Sequence, residues 1–140
     1  MAQQKAKGLR RMLDRTHRFH GLGSLRFVYR QGETARGPLG ALKYAHNPRR
    51  KDWRMAVVVS RKVHKSAVVR NRIRRRVYEV IRSLEPRIVG AYDIVFIAYN
   101  DQIAAMPADE LHAFLVAQLH TAGIIAEVTG QSHAIVKAKE

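Results

Sequence analysis

The chain has 140 residues, 26 of them Lys or Arg and 11 Asp or Glu, for a formal net charge of +15, and its 46% hydrophobic content suffices for one small domain with its own core rather than a disordered polycation. With no cysteine, disulfides, thiolate nucleophiles, cysteine-type zinc sites and iron–sulfur clusters are excluded together. No apolar run reaches the roughly 18 residues of a membrane helix and no apolar signal core follows the basic start, so the expectation is a cytoplasmic protein with an acidic partner and no membrane.

Residues 1–17 are polar and basic without a sustained period and are expected to form a flexible arm. From Leu22 to Arg30 the residues Leu22, Leu25, Val28 and Tyr29 recur at helical spacing, and Gly32 supplies a stop. The stretch Glu33 to Pro38, with Gly37-Pro38, reads as a turn; Leu39, Ala41, Lys43 and Tyr44 then belong to a strand ending near Asn47-Pro48. Within Trp53 to Ser60 the run Met55-Ala56-Val57-Val58-Val59 is short and β-branched, as in a buried strand. Ser66 caps a helix running to about Leu84, stopped by Pro86. Tyr92 to Tyr99 is a second continuous apolar run and the expected central strand. Pro107 opens a last helix with Asp109 and Glu110 in its first turn and Leu111, Phe114, Leu115 and Leu119 as its core stripe, up to Gly123. Residues 124–140 form a tail in which Ile124 to Val128 can add a short strand. The strand–helix–strand unit around the central helix predicts that its flanking strands are parallel, in an α/β domain.

Residues 1–82 hold 23 basic and 4 acidic groups, and residues 83–140 hold 3 and 7, so the charge belongs to one face. Strands and a second amphipathic helix accompany it, which favours nucleic acid over a membrane surface. Projected at about 100° per residue, Ser66 to Leu84 places Val69, Ile73, Val77, Val80 and Leu84 on one side. Asn71, Arg75, Tyr78 and Arg82 fall opposite, with Arg72 and Arg74 on the flanks and Arg70 and Arg76 nearer the core edge. Glu79 and Glu85 cannot balance these arginines, and guanidinium forks this dense repel one another unless an anion such as phosphate neutralises them.

The run Val68-Val69-Arg70-Asn71-Arg72-Ile73-Arg74-Arg75, preceded by Val59-Ser60-Arg61-Lys62-Val63, resembles the signature of the bacterial ribonuclease P protein family: Ser and two basic residues, a short loop, then Arg-Asn-Arg-x-Lys-Arg, with Arg and Lys interchangeable. Arg18 and Phe19, then Leu25, Val28, Tyr29 and Gly32, match the spacing of the family's first helix, and Tyr92 to Ala98 resembles its fourth strand, so the resemblance spans residues 18–123. It implies an α+β sandwich of α-β-β-β-α-β-α order, a mixed sheet packed by helices, with a left-handed crossover around the basic helix, as in a ribosomal protein domain. The implied activity is endonucleolytic removal of the 5′ leader from precursor transfer RNA, catalysed by a large RNA with magnesium held mainly by that RNA. The protein is then an accessory subunit whose partners are the ribonuclease P RNA and precursor tRNA, with no obligatory protein partner.

Carried over by position, Arg61, Lys62, Arg70, Asn71, Arg72, Arg74 and Arg75, with Arg76 as an additional charge, are implied to contact the catalytic RNA. Tyr29 and Tyr44 are implied to line a leader-binding cleft between the first helix and the sheet, where an aromatic face stacks on an unpaired base. Leu25 takes the place of another cleft aromatic. Tyr78 and Tyr99 stand where the family is often basic.

His17 with His20, His112 with His120, and Asp109 with Glu110 do not make a metal or acid–base site: the first pair sits among cations, the second is two helical turns apart, and the carboxylates suit a helix start. No catalytic residue and no protein-held metal are expected. The alternatives are a ribosomal-RNA-binding protein of the ribosome, an autonomous metal-dependent endonuclease, which would need clustered carboxylates, and a DNA-binding helix module.

Overall fold

The computed structural model describes residues 22–125; the basic arm, His17, His20, Arg18, Phe19 and the tail beyond Ile125 lie outside them. Helix α1 (Leu22–Gln31) precedes strands β1 (Glu33–Arg36), β2 (Gly40–His46) and β3 (Arg54–Val58). Helix α2 (Ala67–Ser83), a single 3-10 turn at Glu85–Arg87, strand β4 (Tyr92–Ala98), another such turn at Gln102–Ala104 and helix α3 (Ala108–Ala122) follow.

The four strands form one mixed sheet in the order β1-β2-β4-β3, with β1–β2 and β2–β4 antiparallel and β3–β4 parallel. The parallel pair flanks α2, as the strand–helix–strand pattern predicts. The expected turn from Glu33 to Pro38 is corrected: its first four residues pair with β2 from Glu33↔Tyr44 to Arg36↔Ala41, and the reversal is confined to Gly37–Leu39, where the Gly37 N–H donates to the Gly40 carbonyl at 3.0 Å. Only Ala35 of β1 is buried. An edge strand held mainly by backbone pairing has little hydrophobic alternation to betray it.

Side-chain alternation gives the sheet two unlike faces. Ala35, Leu42, Met55, Val57, Ile94 and Phe96 point to an inner face, where they join Ile73, Val77 and Ile81 of α2 and Leu111, Leu115 and Leu119 of α3 in the main core. The outer face carries α1, and its apolar centre is small: Val28 and Val95 are fully buried, with Leu25, Phe27, Ala56, Val58 and Ile97 half-buried around them.

Helix α2 starts where expected, the Ser66 hydroxyl accepting from the Val69 N–H at 3.4 Å. Its buried arc is wider than the projection suggests. Tyr78, expected at the surface, is 6% exposed, and its hydroxyl accepts a hydrogen bond from the Val57 N–H at 3.3 Å. Because β3 is an edge strand, a phenol lying on the core can still find an N–H partner there.

In α3 the leucine stripe is as read, but Phe114 is corrected: it is 39% exposed, beside the Gly37-Pro38 reversal. Gln118 is buried instead, its amide nitrogen donating to the carbonyls of Ala35 at 2.8 Å and Gly40 at 2.9 Å, which fastens α3 to the β1–β2 hairpin. Gly123 ends the helix at φ 78°, a left-handed conformation suited to glycine. Ile125 bridges Ile88, so the first two residues of the expected Ile124–Val128 strand are ordered by pairing and the rest lies outside the described residues. No described helix is long and apolar enough to cross a membrane.

Candidate nucleic-acid interface

The basic residues selected in the sequence gather on α2 and on the loop that leads into it. Arg61 and Lys62 are exposed in that loop, where the Val63 N–H donates to the Ser60 carbonyl at 3.0 Å to close a turn. The loop is tied to α2 by arginines: Arg70 Nη1 donates to the carbonyls of His64 (3.0 Å) and Lys65 (2.9 Å), while Arg74 donates to Asn71 Oδ1 (2.7 Å) and to the Val59 carbonyl (3.3 Å). Arg76 Nη1 donates to the Ile103 carbonyl at 2.6 Å, reaching the turn before α3.

The arginine set therefore divides in two. Arg70, Arg74 and Arg76 are half-buried and each commits part of its five-donor fork to a protein oxygen. Arg72 and Arg75 are exposed and make no hydrogen bond or ion pair with the described residues. With Arg76 and Glu79 they border an open hollow of about 420 Å³. Asn71 has its side-chain oxygen engaged by Arg74, so it orients that guanidinium as well as facing solvent.

The second implied site is changed by the strand register. Tyr29 of α1 is 45% exposed on the outer face, with Arg26 and Arg30 around a hollow of about 250 Å³. Tyr44 is corrected: it projects from the inner face, opposite Ile94, and packs against the main core, so the sheet separates it from Tyr29. The Tyr44 hydroxyl donates to Glu33 Oε1 at 3.4 Å and its ring meets Tyr92 edge-on, 6.3 Å between centroids. Burial, and next the Glu33 carboxylate, raise the Tyr44 pKa above the ordinary 10.0.

Lys43, one residue earlier and therefore on the outer face, takes the place beside Tyr29. Its ammonium lies 6.0 Å from the Tyr29 ring centre and donates to Thr34 Oγ1 at 3.1 Å. Leu25 is half-buried in the apolar cluster beneath α1. At one end of this face Arg36 Nη1 donates to the Tyr99 hydroxyl at 3.2 Å. At the other, Asp93, fully buried, receives Arg54 Nε at 2.7 Å and Nη2 at 3.1 Å, and Asn47 Nδ2 at 2.9 Å. Lys43, Arg36 and Arg54 escaped the sequence reading because their common face follows from register alone.

His112 and His120 are exposed on α3, and the Asp109 carboxylate accepts from the Glu110 N–H at 2.9 Å. Among the described residues no group of three or more His, Asp or Glu side chains comes together to hold a metal ion.

The sequence model described as ribonuclease P matches residues 13–123. The ribonuclease P protein component of Roseiflexus sp. (strain RS-1) is 41% identical over 106 residues, covering 75% of this chain and 85% of the relative. That of Chloroflexus aurantiacus is 35% identical over 118 residues, covering 84% and 86%. Among solved structures, the Staphylococcus aureus ribonuclease P protein gives a TM-score of 0.70 at 23% identity over 79% of this chain and 98% of that one. The Thermotoga maritima protein gives 0.65 at 20% identity over 72% and 93%. These two likenesses concern the fold.

Proposed function

Since the chain belongs to the ribonuclease P protein family, we propose that its two basic surfaces divide the binding work of the holoenzyme, α2 and its leading loop taking the catalytic RNA and the outer sheet face taking the precursor tRNA leader. The protein is a subunit of ribonuclease P, and its partner is the ribonuclease P RNA. The alternative of a ribosomal protein has no support among these relatives.

The observation that carries the division is the pair Arg72 and Arg75, exposed and unpaired among the described residues, on the helix that the Arg61-Lys62 loop leads into. Two guanidinium forks that form no ion pair with a described carboxylate suit phosphate oxygens, and each phosphate contact releases condensed counterions. Arg70, Arg74 and Arg76 support the same surface by fixing the loop and the helix, and their remaining donors extend it. The leader surface rests on a different chemistry: a floor of half-buried apolar residues, Ala56, Val58 and Ile97, flanked by the Tyr29 ring and the Lys43 ammonium. Such a surface stacks an unpaired base and follows its phosphate without reading much sequence. In this reading magnesium is held mainly by RNA phosphates, and the complex works in the cytoplasm.

The test is cleavage of precursor tRNA at low magnesium by the matching catalytic RNA, with and without the full-length protein, beside a protein-only control. Stimulation in the reconstituted mixture alone is the expected result. Cleavage by the protein alone would replace the accessory role with an autonomous nuclease, and an absence of stimulation by folded protein would remove the leader and RNA assignments.

A further inference from the structure

Among the described residues Glu79 is the one carboxylate bordering the arginine hollow of α2, where by charge alone it is merely partial balance. It lies four residues after Arg75 and three after Arg76, spacings at which helical ion pairs ordinarily form. Yet no hydrogen bond or ion pair joins Glu79 to either, and among the described residues it makes none at all. Arg76 is turned away to the Ile103 carbonyl. The Glu79 carboxylate is thus exposed, with its acceptor capacity unspent, in a hollow otherwise bordered by Arg72, Arg75 and Arg76.

A carboxylate there works against phosphate binding, since it repels the anion the arginines attract. What an RNA can offer in return is a hydrogen-bond donor. The donor present at every nucleotide, close to the backbone and independent of sequence, is the ribose 2′-hydroxyl, which A-form helices display along a wide, shallow minor groove. The hollow, about 420 Å³ and open to solvent, exceeds what a lone phosphate needs. Arg72, Arg75 and Glu79 follow one another at steps of three and four residues, roughly 5 Å along the helix axis each, so the hollow presents phosphate forks and then an acceptor in line.

We infer that this hollow is a ribose-phosphate site in which Arg72 and Arg75 hold backbone phosphates and Glu79 accepts the hydrogen bond of a neighbouring 2′-hydroxyl, making Glu79 the residue by which this surface selects RNA. The inference rests on the assignment of α2 to the catalytic RNA. It gives Glu79 a role opposite to its charge: it lowers affinity for polyanions in general and returns affinity only to those with a hydroxyl to donate.

The experiment compares the full-length protein with Glu79→Ala and Glu79→Gln in equilibrium binding to one short RNA hairpin and to its 2′-fluoro counterpart, which keeps the A-form and the phosphates but lacks the donor. Thermal melts check that the variants fold; Glu79 is exposed, so they should. Wild type should prefer the hydroxyl-bearing hairpin. Glu79→Ala should bind the 2′-fluoro hairpin better and lose the preference by about tenfold, the size of a hydrogen bond to a charged acceptor. Glu79→Gln keeps an acceptor oxygen without the charge, so both hairpins should bind better with most of the preference intact. No preference in wild type, or an equal preference in all three proteins, would overturn the inference and leave Glu79 as a general repulsive charge. Cleavage stimulation by the wild-type protein, measured in parallel with the catalytic RNA, separates this failure from failure of the subunit reading.

Discussion

On the inner face of the sheet Leu42, Met55, Ile94 and Phe96 are fully buried beneath α2 and α3, whereas on the outer face the apolar cluster under α1 has, among the described residues, only Val28 and Val95 fully buried, with Tyr29 at the surface and Lys43 half-exposed. The same alternating strands supply both. What differs is coverage: two long helices close one face, and a ten-residue helix crosses part of the other. The main core can then hold the fold while the outer face keeps solvent-facing aromatic and cationic groups that a better-covered sheet would bury. A parallel division runs through α2, where anchored arginines shape the surface and unpaired ones remain for a ligand.

The largest effect is expected where the inner face is opened. Phe96→Ala should cost about 3–5 kcal/mol in chemical denaturation, and Ile97→Ala, half-buried on the outer face, roughly half as much; equal losses would break the contrast between the faces. Next is the clamp at the rim of the outer face: Arg54→Met leaves the buried Asp93 carboxylate with Asn47 as its remaining side-chain partner shown and should cost about 3 kcal/mol. A near-neutral result in the same denaturation assay would mean that water reaches Asp93.

A smaller effect separates the two tyrosines. Tyr29→Ala should weaken binding of precursor tRNA by about 1–3 kcal/mol relative to leaderless tRNA, while Tyr44→Ala, on the far side of the sheet, should leave that difference unchanged. A leader-specific loss at Tyr44 would return it to the cleft. The smallest effects sharpen the division within α2. Arg72→Ala or Arg75→Ala should lower the salt slope of RNA binding by about one unit with stability unchanged within about 0.5 kcal/mol. Arg74→Ala should in addition lose about 1 kcal/mol of stability with its bonds to Asn71 and Val59.

The arginine surface was legible in the sequence because density is its signal: a run of like charges at helical spacing, led by a cap residue, needs no knowledge of the fold to be placed on a helix and turned to solvent. The outer-face site was legible only in part. Tyr29 follows from the period of α1, but the residue beside it depends on which parity of β2 faces α1, and a shift of one residue exchanges Tyr44 for Lys43. Tyr78 and Phe114 exchanged their expected environments for a related reason, since a helical projection orders the residues around the axis but does not say how wide an arc the neighbours cover. Gln118 carried no apolar signal, and its burial is explained by two hairpin carbonyls that only the folded chain brings to it.

By itself the sequence determined the helices, the central strand, the parallel unit around α2, the charge asymmetry and the family resemblance, because each of these is written in local periodicity, capping or a contiguous motif. The tertiary structure alone decided the edge strand β1, the face on which each β2 side chain emerges, which arginines are tied to carbonyls, and that Glu79 is left without a partner in the arginine hollow. Those are outcomes of pairing and packing in the folded chain, most of them between residues distant in sequence, and no local pattern encodes them.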